Sequence, residues 1–181
     1  MSKKITTKKI CAIAMLIALT AVLGFISGKL RIGTFAKFSF NFIAVYFSAI
    51  LYGPLVAGIV GFAGDFVSAI GTGPYLWWIG AIEFIYGVIF GLLFYKKDER
   101  NEKTGTFVLK AISCSAIILI VDLFVKSFLL IRIGFAPSPL FAAVAARLPM
   151  CAVMAVIRAV VLIVSEKAIL RAFKVIGGDW R

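Results

Sequence analysis

Six ionisable residues interrupt otherwise apolar stretches of this chain: Asp65, Glu83, Asp122, Lys126, Arg147 and Arg158. A charge in hydrocarbon is costly and is retained for a partner, a substrate or a proton path. Measured from the helix ends at about 1.5 Å per residue, Asp65, Glu83, Lys126 and Arg147 fall within roughly the outer 12 Å of four different helices. That common depth favours a polar cavity open to the outside over a set of internal ion pairs. Asp122 and Lys126, at i and i+4, have the spacing of a simple pair on one helix. Arg158 lies about three turns below Arg147 on nearly the same face, the position of an anchor that snorkels to the headgroups.

Aromatic rings accompany the same level. Tyr75, Trp77, Trp78 and Phe84 follow one loop, and Phe38 and Phe40 close another. Rings there stack on flat ligands and on cations, or form an interfacial belt. Lys29 and Arg31, with Lys37, place three cations in the first outer loop, where the positive-inside rule expects few. Those cations are either held outside by stronger topological signals or serve an anionic ligand.

Several chemistries are excluded. The chain has no histidine, which removes imidazole acid–base catalysis and histidine metal ligation. The stretch Gly24 to Lys29 imitates a phosphate loop, but its glycines are one residue too close and Leu30 stands where a magnesium-binding hydroxyl belongs. ATP hydrolysis by that route is impossible. No carboxylate or serine cluster suggests an enzyme. Cys11, Cys114 and Cys151 fall inside apolar runs and indicate neither a disulfide framework nor a metal site.

The elements that position these residues follow from composition. The chain has 181 residues, 62% of them hydrophobic, and a mean hydropathy of +1.07. A soluble domain of this length has no interior large enough for so much apolar surface. The runs are too long for barrel strands, so the expectation is an all-α integral membrane protein, a six transmembrane helix bundle forming a single membrane domain. The helices are placed at about 10–28, 40–52, 55–70, 78–95, 107–131 and 140–170, with Gly53-Pro54 as a turn. The second and third are short for a bilayer. The lysine-rich start resembles a signal peptide, but the apolar run after it is long enough to span and is kept as the first helix.

Net charge is +12. In a soluble chain this would suggest nucleic acid; here the cations flank apolar spans, and lipid headgroups and topology account for them. With six spans the N-terminus, the hydrophilic segment Lys96 to Thr106 and the C-terminus share one side, expected to be cytoplasmic.

Small residues recur at helical spacing: Ala14 and Ala18, Gly24 and Gly28, Gly58 with Gly61 and Gly64, Gly87 and Gly91. Each set lets another helix backbone approach. For the Gly58 series and for Gly87 with Gly91, packing within the bundle is the better reading. For Ala14 and Ala18, packing and docking of a partner are equally open.

The lysine-rich start, Ala14-Met15-Leu16-Ile17-Ala18, Lys29-Leu30-Arg31-Ile32-Gly33, Ser39-Phe40-Asn41-Phe42, Leu51-Tyr52-Gly53-Pro54-Leu55 and Gly61 to Asp65 together resemble the substrate-binding S component of energy-coupling factor (ECF) vitamin transporters over most of the chain. Gly73-Pro74-Tyr75, Ile85-Tyr86-Gly87 and Leu93-Phe94-Tyr95-Lys96-Lys97 are most similar to the folate family within it, although Tyr75-Leu76-Trp77-Trp78 departs from the Tyr-Phe-Pro-Gly common there. The resemblance implies a bacterial cytoplasmic-membrane subunit with an outward vitamin pocket under the first and third loops. It implies partners as well: a transmembrane coupling (T) subunit docking on Ala14 and Ala18, and two cytoplasmic ATPase subunits that use the ATP, this chain binding no cofactor itself. Folate, flat and anionic, would be stacked by the aromatics and met by Lys29, Arg31, Lys126 and Arg147.

A second class stays open on the residues alone. Asp65, Glu83 and Asp122 are the groups a self-contained, ion-coupled secondary transporter would use as a proton relay. The absence of an inverted repeat between the halves counts against it.

Overall fold

The computed structural model describes residues 7–29, 31–32, 36–37, 39–70, 75–95, 104–132, 134 and 140–175, with backbone alone for 31–32, 36–37, 104 and 166–175. The chain divides into two compact units, Met1–Tyr95 and Lys96–Arg181.

In the first unit, α1 (Thr7–Lys29), α2 (Phe42–Tyr52), α3 (Pro54–Ile70) and α4 (Trp77–Phe94) follow one another. Between α1 and α2 the expected loop carries a two-residue antiparallel ladder, β1 (Arg31–Ile32) and β2 (Ala36–Lys37), with Arg31 opposite Lys37. The turn from α2 to α3 is a single residue. Gly53 adopts φ +89°, a backbone state open to glycine at no steric cost. Its N–H donates to the Ala49 carbonyl at 3.0 Å, and its own carbonyl accepts from Ala57 N–H at 3.1 Å. Pro54 then opens α3, where a missing N–H costs nothing.

Glycine decides how these helices cross. A Cβ on Gly87 would sit on the Ala57 carbonyl, one on Gly91 on the Pro54 backbone, and one on Gly61 2.8 Å from the Glu83 carbonyl. α3 and α4 therefore pack backbone to backbone and antiparallel. On the other side of α3, Gly64 meets Thr20 and Ser68 meets Gly24, so α1 runs parallel to α3 at the same four-residue spacing. The Gly58, Gly61, Gly64 and Gly87, Gly91 sets thus pack inside the unit, as does Gly24. Around them Val45, Tyr46, Ala49, Val60, Ile82 and Phe90 are buried, with the Tyr46 ring edge-on to Phe90 and Phe94 at 6.0 and 5.1 Å.

In the second unit, α5 (Thr104–Val121), a π-helical turn (Asp122–Lys126) and α6 (Ser127–Arg132) form one continuous rod, and α7 runs Leu140–Val175 with Pro149 inside it. Ala111, Cys114, Ile118, Leu123, Ala143, Met154 and Leu162 are buried there. The π turn carries one extra residue per turn and rotates everything after it relative to a continuous α-helix.

Among the described residues four helical segments, Thr7–Lys29, Trp77–Phe94, Gly105–Arg132 and Leu140–Ser165, are long and apolar enough to cross a membrane; α2 and α3 are shorter apolar helices. The 11 residues of α2 reach about 16 Å at 1.5 Å each, half the hydrocarbon thickness. Large side chains such as Met15, Ile70, Leu92, Phe141 and Val164 are exposed, and lipid rather than water solvates such a surface.

Candidate functional site

Alternating helix direction brings the end of α1, the start of α2, the end of α3 and the start of α4 to one end of the first unit. Glu83 lies there on α4, only 7% exposed. Burial of a carboxylate demands a donor, and the Asn41 amide supplies one, Nδ2 donating to Glu83 Oε2 at 3.2 Å. Asn41 is itself 4% exposed, and its Oδ1 accepts the Ser39 hydroxyl proton. One residue away, the Phe40 N–H donates to Ser27 Oγ of α1 at 3.0 Å, while the Ser27 hydroxyl donates to the Leu23 carbonyl at 2.6 Å. Hydrogen bonds on both sides of Phe40 thus fasten the entry to α2, one set to α1 and the other to α4.

Tyr75 precedes α4 within an aromatic group. Its ring stands edge-on to Phe66 at 5.0 Å, to Trp77 at 5.3 Å and to Phe62 at 6.3 Å. Burial, followed by the charges of Asp65 and then Glu83, holds the Tyr75 phenol above the ordinary tyrosine value. Both carboxylates therefore act on it, and it stays an O–H. The hydroxyl oxygen is buried and has no hydrogen-bond partner among the described residues. A side chain at Gly80 would collide with that oxygen.

Of the residues expected from sequence to bind substrate, Asp65, Tyr75, Trp77 and Glu83 are gathered at this end. Trp78 is exposed. Lys29 is exposed at the last turn of α1, its ammonium 5.0 Å from the Phe25 ring centre. Arg31 is placed by its backbone in the ladder; its side chain, with those of Lys37 and Phe38, lies outside the described residues.

The second unit brings Lys126 and Arg147 to one acid. Asp122 Oδ1 is 3.3 Å from Lys126 Nζ, and Oδ2 is 3.7 Å from Arg158 Nη2. Arg147, 8% exposed, donates from Nη1 to the Asp122 carbonyl at 3.2 Å and to Ser127 Oγ at 3.0 Å. The π turn makes this possible, since its altered register leaves a carbonyl that a side chain can take up. Two cations thus pair with the carboxylate of Asp122, and a third takes its main-chain carbonyl.

Arg158 corrects the expectation of a headgroup anchor. It is 5% exposed and paired with Asp122. Its long side chain reaches along α7 toward a half-buried acid as readily as toward headgroups, and a counter-ion in low dielectric wins. Asp122 and Lys126 form the expected pair, but that pair belongs to the larger cluster. Sequence reading also missed Asn41, Ser39 and Ser127 as site residues. A signal existed for Asn41, a lone amide beside the apolar run of α2. None exists for the π turn.

Ala14 and Ala18 are exposed on α1, opposite the face on which Thr20, Gly24 and Ser27 pack. Among the described residues no group of three potential metal ligands is found.

A family model described as ECF-type riboflavin transporter, S component, matches residues 4–171. No curated protein matches the chain. Among solved structures, the crystal structure of FolT bound with folic acid superposes with a TM-score of 0.73 over 87% of this chain and 91% of that chain, at 23% sequence identity. At that identity the likeness is one of fold.

Proposed function

The chain belongs to the family of ECF-type riboflavin transporter S components, and we propose that it captures folate, or a related flat anionic vitamin, for import. The family is a vitamin-binding transport component and not an enzyme, and this member is a multi-pass membrane protein. ATP hydrolysis then falls to two partner ATPase subunits, with a transmembrane T subunit docking on the exposed Ala14 and Ala18. The membrane is the bacterial cytoplasmic one and both termini face inward, as the lysines near the N-terminus and after Tyr95 favour. This chain binds no cofactor of its own.

The observation that supports the choice of an anion is the group of three cations at Asp122, Lys126 and Arg158 on its carboxylate and Arg147 on its main-chain carbonyl. Guanidinium and ammonium groups held in place are suited to carboxylates. The aromatic group of Phe66, Tyr75 and Trp77 is suited to a flat heterocycle. Asp65, Glu83, Lys29, Arg31 and Trp78 complete the proposed substrate-binding set, to which Asn41 is added as the residue that holds Glu83. A second reading, riboflavin as the ligand, is favoured by the description of the family itself.

Equilibrium titration of the purified protein in detergent, without ATP, separates these readings. Saturable folate binding with no riboflavin binding is expected. Riboflavin binding alone would remove folate and leave the transport subunit. Gradient-driven vitamin uptake by this chain alone in liposomes would replace both with a self-contained transporter.

A further inference from the structure

The Tyr75 hydroxyl is a buried donor with no acceptor among the described residues. A buried polar group without a partner costs free energy and is rare enough to require a reason. A tyrosine fulfilling only an aromatic role would serve equally as phenylalanine, since the contacts to Phe62, Phe66 and Trp77 are made by the ring. The oxygen is nevertheless accommodated at a second position, because residue 80 has no side chain and a Cβ there would overlap it.

We propose that the Tyr75 hydroxyl is the hydrogen-bond donor that meets an acceptor on the heterocyclic end of the ligand, with Gly80 as the residue that keeps its place open. The inference rests on the reading of the chain as a vitamin-binding subunit and assigns one end of the vitamin to this group. The acceptor is a ring nitrogen or ring carbonyl. A ligand carboxylate is disfavoured, because the charges of Asp65 and Glu83 already bear on the phenol and would repel a third anion.

A double-mutant cycle tests this, read by folate affinity and by thermal stability of the vitamin-free protein. Tyr75→Phe should weaken folate about tenfold without lowering the vitamin-free melting temperature, since the deleted hydroxyl has no partner to lose. Gly80→Ala should also weaken folate. In the Tyr75→Phe background it should add little, because without the oxygen the nearest remaining atoms are a ring carbon at 3.0 Å and Phe62 at 3.1 Å. Unchanged folate affinity in Tyr75→Phe, a fall in its vitamin-free melting temperature, or strictly additive losses would each overturn the assignment. p-Aminobenzoylglutamate, which carries the carboxylates without the heterocycle, should bind wild type and Tyr75→Phe alike; a tenfold difference would place the hydroxyl at the wrong end. Should riboflavin bind where folate does not, the folate reading falls and the same cycle, titrated with riboflavin, decides the role of Tyr75. A wild type that binds neither overturns both.

Discussion

The two units hold their helices together by different means. In Met1–Tyr95 the helices approach closely at Gly61, Gly64, Gly87 and Gly91, and the buried carboxylate of Glu83 is held at one end by Asn41. In Lys96–Arg181 a charged cluster on the π turn and α7 lies in the rod itself, with Asp122 drawing in Lys126, Arg158 and the Arg147 guanidinium. Lipid offers helices no hydrophobic reason to associate, so close packing and polar bonds are the two devices available. The first unit relies on shape, which admits no added atom. The second relies on charge, which tolerates reshaping and fails when one partner is removed.

The largest effect should come from shape. Gly87→Leu places a branched side chain against the Ala57 carbonyl and the Gly58 nitrogen, backbone atoms that no rotamer change can move. Overpacking of a core costs about 1–3 kcal/mol where side chains yield, and here they cannot. The variant should lose its monodisperse peak in size-exclusion chromatography and its vitamin binding together. A well-behaved Gly87→Leu protein with the wild-type melting temperature would show that α3 and α4 are not in backbone contact.

Removing the acid tests the second device. Asp122→Ala leaves the buried Arg158 and the half-buried Lys126 without the carboxylate they share, a loss of about 3 kcal/mol, read as a lowered melting temperature in detergent. Asp122→Leu combined with Arg158→Leu should recover part of that loss, because deleting both partners leaves no uncompensated charge between them. If the double variant is no better than Asp122→Leu alone, charge pairing is not what holds α7 to the π turn. A smaller change follows at Ser127, whose Oγ accepts from Arg147 at 3.0 Å. Ser127→Ala should cost about 1 kcal/mol, with the Asp122 carbonyl still accepting from the same nitrogen.

The same contrast explains what the sequence revealed. Helix placement was legible because hydropathy and Gly53-Pro54 are local signals, and the six expected segments match α1 to α4, the α5–π–α6 rod and α7 within five residues at every end. The first unit's packing was legible too, since glycine at helical spacing states its purpose in one dimension. The second unit was less so. Counting residues along an ideal α-helix put Arg158 near the headgroups, whereas its guanidinium is set by an acid on another segment. The π turn that presents the Asp122 carbonyl to Arg147 has no marker in Asp-Leu-Phe-Val-Lys. Pairing of Asn41 with Glu83 spans 42 residues and depends on the crossing of helices, which one-dimensional periodicity does not encode.

The smallest effect on the fold is expected at Ala14 and Ala18, where neither shape nor charge within the first unit is at stake. α1 has two faces: Thr20, Gly24 and Ser27 are buried, with Thr20 against Gly64 and Gly24 against Ser68 of α3, while Ala14 and Ala18 are exposed alongside Met15, Leu19 and Val22. Both positions are exposed, so with tryptophan at 14 or 18 the isolated subunit should keep its melting temperature and its vitamin affinity. In the proposed full transporter the same face receives the coupling subunit, and close helix approach there tolerates no added ring. Vitamin uptake by cells carrying Ala14→Trp or Ala18→Trp should therefore fall to background while binding by the purified subunit is untouched. Loss of vitamin binding in the isolated variants would mean that this face is closed by the chain itself; undiminished uptake would move the docking surface off α1 altogether.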